Sequence, residues 1–296
     1  MELRHGWRLL AIACGVFFFG TLGSFGQECR VTTTVRVRSD PGTSAVSLTS
    51  EQLTAKIGAN PARVISVTNA QKPATIVLID FSSSMKAEWQ QSLEAAKQLT
   101  GGAGDRVGVV VFNYQIFDFA NGREATNKLL ERLATLKPRM DGTALYDTLI
   151  EVANSAKDPN TVLIFLSDGK DNESHNTPEQ TIDLFLKNRW PPVFGLVLDY
   201  SDDEKRRGYF KKVVTETGGI LAHPSSASGV AEAASQLWST IDAPFTVVLQ
   251  ASQPVLKPEK LKIEMIGPNG NSGHRTEIVH VSMISGCDAT APPVTN

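Results

Sequence analysis

Between Pro73 and about Ala243 the chain alternates short apolar runs with longer amphipathic stretches. The runs at 75–79, 107–112, 162–166 and 193–198 are rich in β-branched residues and continuous rather than alternating. Strands covered on both faces have that pattern, so these four predict parallel central strands. Between them Met85, Trp89, Leu93 and Ala96 recur at helical spacing, and further helices are predicted over 124–136, 143–156, 178–187, 202–216 and 229–241. Trp89 falls on the apolar stripe of its helix and reads as core. The rhythm predicts a doubly wound α/β unit with right-handed crossovers and helices on both faces of a mostly parallel sheet.

The flanks follow a different pattern. Thr, Val and Arg alternate over 31–37, a turn is expected at Asp40-Pro41-Gly42, and a short apolar run covers 64–67. Beyond 244 the runs 245–249, 261–266 and 277–284 bracket another turn at Gly267-Pro268-Asn269-Gly270. Both patterns predict antiparallel strands. Neither flank can bury much surface alone, so the two are expected to pair into one small β-sandwich-like domain. The expected organisation is an N-terminal β segment at 27–72, the α/β domain at 73–243 and a C-terminal β segment at 244–296 that packs with the first.

Residues 1–26 read as an export signal: Arg4 and Arg8 precede an apolar run over 9–19, and small residues lead to a cleavage site after Gly26. The alternative is a retained membrane anchor, but the run is short of the roughly 20 residues a spanning helix needs. Cys14 lacks the aliphatic residue three positions before it that a lipoprotein signal carries, and no later segment could span a membrane. The mature chain is therefore expected to be secreted or periplasmic. Losing Glu2, Arg4 and Arg8 removes a net +1, so a formal charge of −2 becomes −3. With 41% hydrophobic and 20% charged residues the composition is that of a globular protein, and the absence of a basic excess argues against a nucleic-acid partner.

Export leaves Cys29 and Cys287 in an oxidising compartment. A bridge between them closes a very long loop, worth about 4 to 5 kcal/mol in the chain-entropy model. Two free or intermolecular thiols are the alternative. The bridge is the favoured reading, because an exported pair with no third cysteine has no other partner within the chain.

Candidate chemistry concentrates at strand ends, where parallel sheets bind ligands. The first central run ends in Asp80-Phe81-Ser82-Ser83-Ser84-Met85, directly before a helix. Helix capping alone would account for such residues. Two other segments add to it: Asp141-Gly142-Thr143-Ala144 brings another hydroxyl to a helix start, and the run at 162–166 ends in Ser167-Asp168-Gly169-Lys170. Asp80, Ser82, Ser84, Thr143 and Asp168 make two carboxylates and three hydroxyls, all hard oxygen donors. That set suits Mg²⁺, with Mn²⁺ the neighbouring possibility and Ca²⁺ a poorer match to so few carboxylates. On this reasoning the absence of any His or Cys cluster excludes zinc. Asp141, Asp147, Asp171 and Glu173 give the rim an acidic character and read mainly as loop and cap groups, with Asp147 a possible orienter of Thr143 from behind.

The set resembles the metal-ion-dependent adhesion site of the von Willebrand factor type A (VWA) domain. That family's D-x-S-x-S motif corresponds to Asp80, Ser82 and Ser84, its threonine loop to Thr143 and its second aspartate to Asp168. The resemblance spans about residues 74–241. It departs at Ser83, where many bacterial members carry Gly, a position that is not a ligand. More loosely, the flanks resemble bacterial secreted proteins in which short β segments precede and follow such a domain. The resemblance implies a Rossmann-like VWA fold and a metal-dependent protein-binding module whose open coordination position takes an Asp or Glu of a partner. An envelope scaffold with a structural metal is the alternative. A magnesium-dependent phosphoryl-transfer hydrolase is a weaker one: the chain has no G-x-S-x-G elbow, P-loop or G-x-G-x-x-G, so no catalytic residue is assigned and a non-enzyme is expected.

Overall fold

The computed structural model describes residues 29–39, 47–138, 142–158, 160–199, 204–256, 259–266, 276–279, 282–284 and 287. The export signal, the turns at 40–42 and 267–270, and Asp141 lie outside the described residues. In chain order the strands are β1 (Arg30–Ser39), β2 (Leu53–Ile57), β3 (Asn60–Asn69), β4 (Ala74–Asp80), β5 (Val107–Phe112), β6 (Ile116–Asn121), β7 (Thr161–Ser167), β8 (Val193–Val197), β9 (Leu221–Ala222), β10 (Pro244–Ala251), β11 (Glu259–Met265), β12 (Thr276–Val279) and β13 (Ser282–Ile284). The helices are α1 (Trp89–Gly102), α2 (Arg123–Ala134), α3 (Leu145–Ser155), α4 (Pro178–Asn188), α5 (Glu204–Glu216) and α6 (Val230–Asp242).

The central sheet has the order β6-β5-β4-β7-β8-β9 and is parallel except for the antiparallel edge strand β6. Successive residues of each apolar run point to opposite faces, and both faces are covered. Val77 and Ile79 of β4 pack with Trp89, Leu93 and Leu99 of α1, Leu129 and Leu133 of α2, and Leu237 of α6. Leu78 packs on the other side with Leu145 and Leu149 of α3, Phe185 of α4 and Val214 of α5. The continuous apolar runs follow directly from this two-sided burial. Trp89 is 2% exposed, and its indole N–H donates to the Leu136 carbonyl at 3.1 Å. The sheet thus has the doubly wound form expected from the sequence, with β6 and β9 as additional edges.

The flanking segments form one antiparallel sheet of order β12-β1-β10-β3-β2-β11-β13. Its two ends are β12 and β13, only two residues apart in the chain, so the sheet curls until its ends meet. Val31, Val35, Leu53, Ile57, Val247, Leu249, Leu261 and Ile263 fill the interior. The sandwich-like unit is therefore a single sheet rolled on itself. Cys29 and Cys287, just outside β1 and β13, are joined in a disulfide.

Strand β1 packs on α6, and Arg36 lies over the Phe194 ring at 5.6 Å. Arg36 is 5% exposed, its Nε has no hydrogen-bond partner, and burial lowers its pKa to about 10. A buried cation with an unpartnered Nε over a π-face is costly, because the attraction to the ring is smaller than the hydration lost. Arg36→Met is therefore expected to raise stability by about 1 kcal/mol. A melting temperature several degrees lower would show instead that the guanidinium holds the two units together. The double variant Cys29→Ser, Cys287→Ser is expected to lose about 2 to 5 kcal/mol in denaturant unfolding. A reductant should bring the wild type down to the same level and leave the variant unchanged.

Candidate metal centre

Strand β4 is the point from which the chain departs to β5 on one side and β7 on the other, a topological switch point of the kind that binds ligands in open sheets. Asp80 is its last residue and has no exposed surface. One carboxylate oxygen, Oδ1, accepts from the Ser82 N–H at 2.9 Å and turns the chain, and Oδ2 accepts from the Ser167 hydroxyl at 2.7 Å. A 3-10 turn over Ser83–Lys86 follows, so α1 begins only at Trp89. Ser82 occupies the N-cap position of that turn, but its hydroxyl makes no capping bond and lies 3.0 Å from the Ser84 hydroxyl. This decides against capping as the account of the motif: neither hydroxyl is spent on the helix start.

Register places Leu166 beside Ile79, so Asp168 emerges next to Asp80. The threonine loop approaches from the β5 side, where the Ala144 N–H donates to the Asn113 carbonyl at 2.7 Å. It is tied to the Asp168 loop as well: the Thr143 N–H donates to Asn172 Oδ1 at 2.8 Å, and the Thr143 carbonyl accepts from the N–H groups of Asn172 and Glu173 at 3.0 Å. Thr143 is 2% exposed. Gly142 has φ +88°, and a Cβ there would come within 2.7 Å of the Glu173 side chain. The tight seat of this loop therefore requires glycine.

The segment 171–176 works as a trans cap for α3, whose own N-cap residue Ala144 supplies no side-chain bond. Asp171 Oδ2 and the Ser174 hydroxyl both accept from the Tyr146 N–H at 3.1 Å, and Ser174 also accepts from the Asp147 N–H at 3.2 Å. Asp147 lies on the other side of the same joint. Its carboxylate accepts from the backbone N–H groups of His175 and Asn176 at 2.8 and 3.0 Å and from the Asn176 side-chain amide at 2.7 Å. The His175 Nδ1 is 2.9 Å away. Asp147 thus fixes the loop that in turn holds Thr143.

Burial pushes the Asp80 carboxyl up to about 6, against the pull of the Ser167 and Ser82 hydrogen bonds, and Asp168 raises it further. All of its hydrogen-bond donors are neutral. Asp168 is 3% exposed, with Oδ1 accepting from the Lys170 N–H at 3.1 Å and Oδ2 from Lys170 Nζ at 2.7 Å. A buried carboxylate with neutral donors, two hydroxyls turned toward each other and a buried threonine on the adjoining loop make a donor set that suits a hard divalent cation, which would bring the Asp80 pKa back down. No group of three or more His, Cys, Asp or Glu side chains comes together among the described residues. Sequence reasoning missed Ser167, Asn172 and Lys170. Their only signal was adjacency to Asp168.

Residues 75–170 match the family model of the von Willebrand factor type A domain. The chain carries a VWA domain. Domains of this type are protein-interaction modules, typically not enzymes, and commonly hold a divalent metal at the adhesion motif. Proximal thread matrix protein 1 from the mussel byssus is similar at 19% identity and a TM-score of 0.44, over 59% of this chain and 48% of that one. This chain spans about half the length of the mussel protein. A second structure of the mussel protein has a zinc-occupied motif of this kind, at 19% identity and a TM-score of 0.43, over 58% of this chain and 48% of that one. The vWF domain of the type V pili tip protein Mfa5 from Porphyromonas gingivalis is similar at 13% identity and a TM-score of 0.44, over 58% of this chain and 96% of that one. No curated protein matches. The assignment rests on the family match.

Burial alone would raise the Asp147 pKa, but the hydrogen bonds from His175 and Asn176 outweigh it and hold the group at about 2. Its contribution to stability is therefore complete above the unfolded value near 4 and is lost as pH falls through about 2. Asp147→Asn is expected to cost about 1 kcal/mol at neutral pH, allowing for partial solvent screening. In urea unfolding the gap between variant and wild type should close as pH is lowered from about 5 toward 2. A gap independent of pH would show that the carboxylate charge plays no part in the joint.

Proposed function

We propose that the VWA domain binds a divalent cation, Mg²⁺ or Mn²⁺ before Ca²⁺, and uses it to capture a protein partner that presents an Asp or Glu carboxylate. In this reading Asp80, Ser82, Ser84, Thr143 and Asp168 hold the ion and one position remains open. The observation that supports it best is the burial of the Asp80 carboxylate among neutral donors, beside two hydroxyls that take no part in capping. Two carboxylates balance one divalent ion while the hydroxyls add no charge, so the ion stays electrophilic toward an anionic oxygen. Asp80 closes β4 and the other four follow on turns and loops beyond the strand ends, none of them part of the apolar clusters of the core, which favours a role in recognition over one in stability.

The reading extends to an exported protein, from the signal at 1–26 and the Cys29–Cys287 bridge. Among the described residues no helix is long and apolar enough to cross a membrane. The expected domain limits remain 27–72, 73–243 and 244–296.

Calorimetric titration of metal-free protein with Mg²⁺, Mn²⁺, Ca²⁺ and Zn²⁺ is the direct test. Binding heat and a rise in melting temperature are expected for Mg²⁺ and Mn²⁺. Asp80→Ala should abolish both while retaining the wild-type circular dichroism spectrum, and chelator should release captured partner from a pull-down. An Asp80→Ala chain that fails to fold would assign the ion a structural role. No heat with any cation would remove the metal site altogether.

A further inference from the structure

Asp168 already has a cation. Lys170 Nζ lies 2.7 Å from Asp168 Oδ2, and the backbone N–H of the same lysine donates to Oδ1. The two partners differ sharply in environment: the Asp168 side chain is 4% exposed and that of Lys170 is 49% exposed. Gly169, at φ +79°, turns the chain so that the lysine doubles back onto the aspartate two residues before it. Asp80, by contrast, has neutral donors only.

We propose that Lys170 is the resident counter-ion of this site, so that a divalent cation enters by displacing the Lys170 ammonium from Asp168. This rests on the metal-binding reading above and concerns what regulates that site. The geometry leaves the lysine free to move. Half of it is in solvent, and it lines a cavity of about 630 Å³ together with Tyr146, Asp171, Tyr209 and Phe210. The backbone hydrogen bond to Oδ1 does not depend on the ammonium, so Asp168 keeps its orientation when Nζ leaves.

The charge balance gives the exchange a consequence. With Lys170 in place, Asp80 and Asp168 present a net −1 to an incoming ion rather than −2. Once a divalent ion is bound, the same lysine at the rim leaves the loaded centre at +1 rather than neutral. Lys170 therefore weakens the hold on the cation and strengthens the attraction for an acidic partner. Its charge already reaches the neighbouring carboxyl of Glu88, whose pKa is raised by burial and by Asp168 and lowered by Lys170. A second carboxylate next to the metal-binding one in a partner sequence would find the displaced ammonium beside it.

The experiment titrates MgCl₂ into metal-free wild type, Lys170→Met and Lys170→Arg by calorimetry. Lys170→Met is expected to bind Mg²⁺ about tenfold more tightly than wild type, and Lys170→Arg to remain within about threefold of it. In parallel, wild type is labelled with an amine-acylating reagent with and without Mg²⁺ and read by peptide mass. Labelling of Lys170 should rise on Mg²⁺ addition while Lys72, paired with Asp242 far from the site, stays constant. Equal or weaker Mg²⁺ binding by a folded Lys170→Met, or unchanged Lys170 labelling on saturation, overturns the exchange and leaves the metal site standing. If neither wild type nor Lys170→Met binds Mg²⁺, the metal site falls and the exchange with it. Should Lys170→Met fail to fold, the labelling of wild type decides alone.

Discussion

A carboxylate with no exposed surface at the end of the central strand sets the terms for everything around it. Removing such a group from water costs several kcal/mol, and the two hydrogen bonds from Ser82 and Ser167 recover part of that cost. Burial, with Asp168 adding to it, still pushes the Asp80 pKa up from 3.8 to about 6, so part of that cost remains. The fold keeps this unfavourable charge at the spot where β4 lies between β5 and β7. Register brings the segment 167–170 beside it, and the segment 142–144 is tied by hydrogen bonds to Asn113 and to the 172–173 loop. A core side chain at that position would have been cheaper, and this is the physical ground on which the proposed cation site rests.

The loops that frame the charge hold one another in place. The segment 171–176 caps α3 through Asp171 and Ser174, ties down Thr143 through Asn172, and is itself fixed by Asp147. This arrangement removes most of the freedom of the Thr143 and Asp168 loops before any ligand arrives, which lowers the ordering cost of binding. Lys170 is the exception: a long, half-exposed side chain with one fixed contact, in a site otherwise made rigid.

The central strands and the helices were legible in the sequence because burial on both faces leaves an unmistakable run of β-branched residues, and burial on one face a helical period. Strand β6 escaped because it is an edge. Its residues alternate, and Phe117 and Phe119 stand 41% and 75% exposed, so the segment carries no two-sided signal. Strand β9 is two residues long and below any pattern. At the site, residue types at strand ends pointed to Asp80, Ser82, Ser84, Thr143 and Asp168. Nothing in residue type showed that the hydroxyl of Ser167 would serve Asp80 or that Lys170 would fold back on Asp168. The first depends on the register that sets Ser167 opposite Asp80, and the second on the turn at Gly169, whose φ of +79° sends the lysine back.

The way the two units are joined bears on what can reach the site. Both chain crossings lie at the amino-terminal edge of the central sheet, where the Ala70 N–H donates to the Pro244 carbonyl at 2.9 Å and Lys72 pairs with Asp242. Asp80 sits at the opposite end of β4, about 20 Å away at the usual rise of a strand. Strand β1 runs beside α6, and the Cys29–Cys287 bridge closes the outer unit on itself. The proposed cation site therefore lies a full strand length from the two chain crossings that join the units.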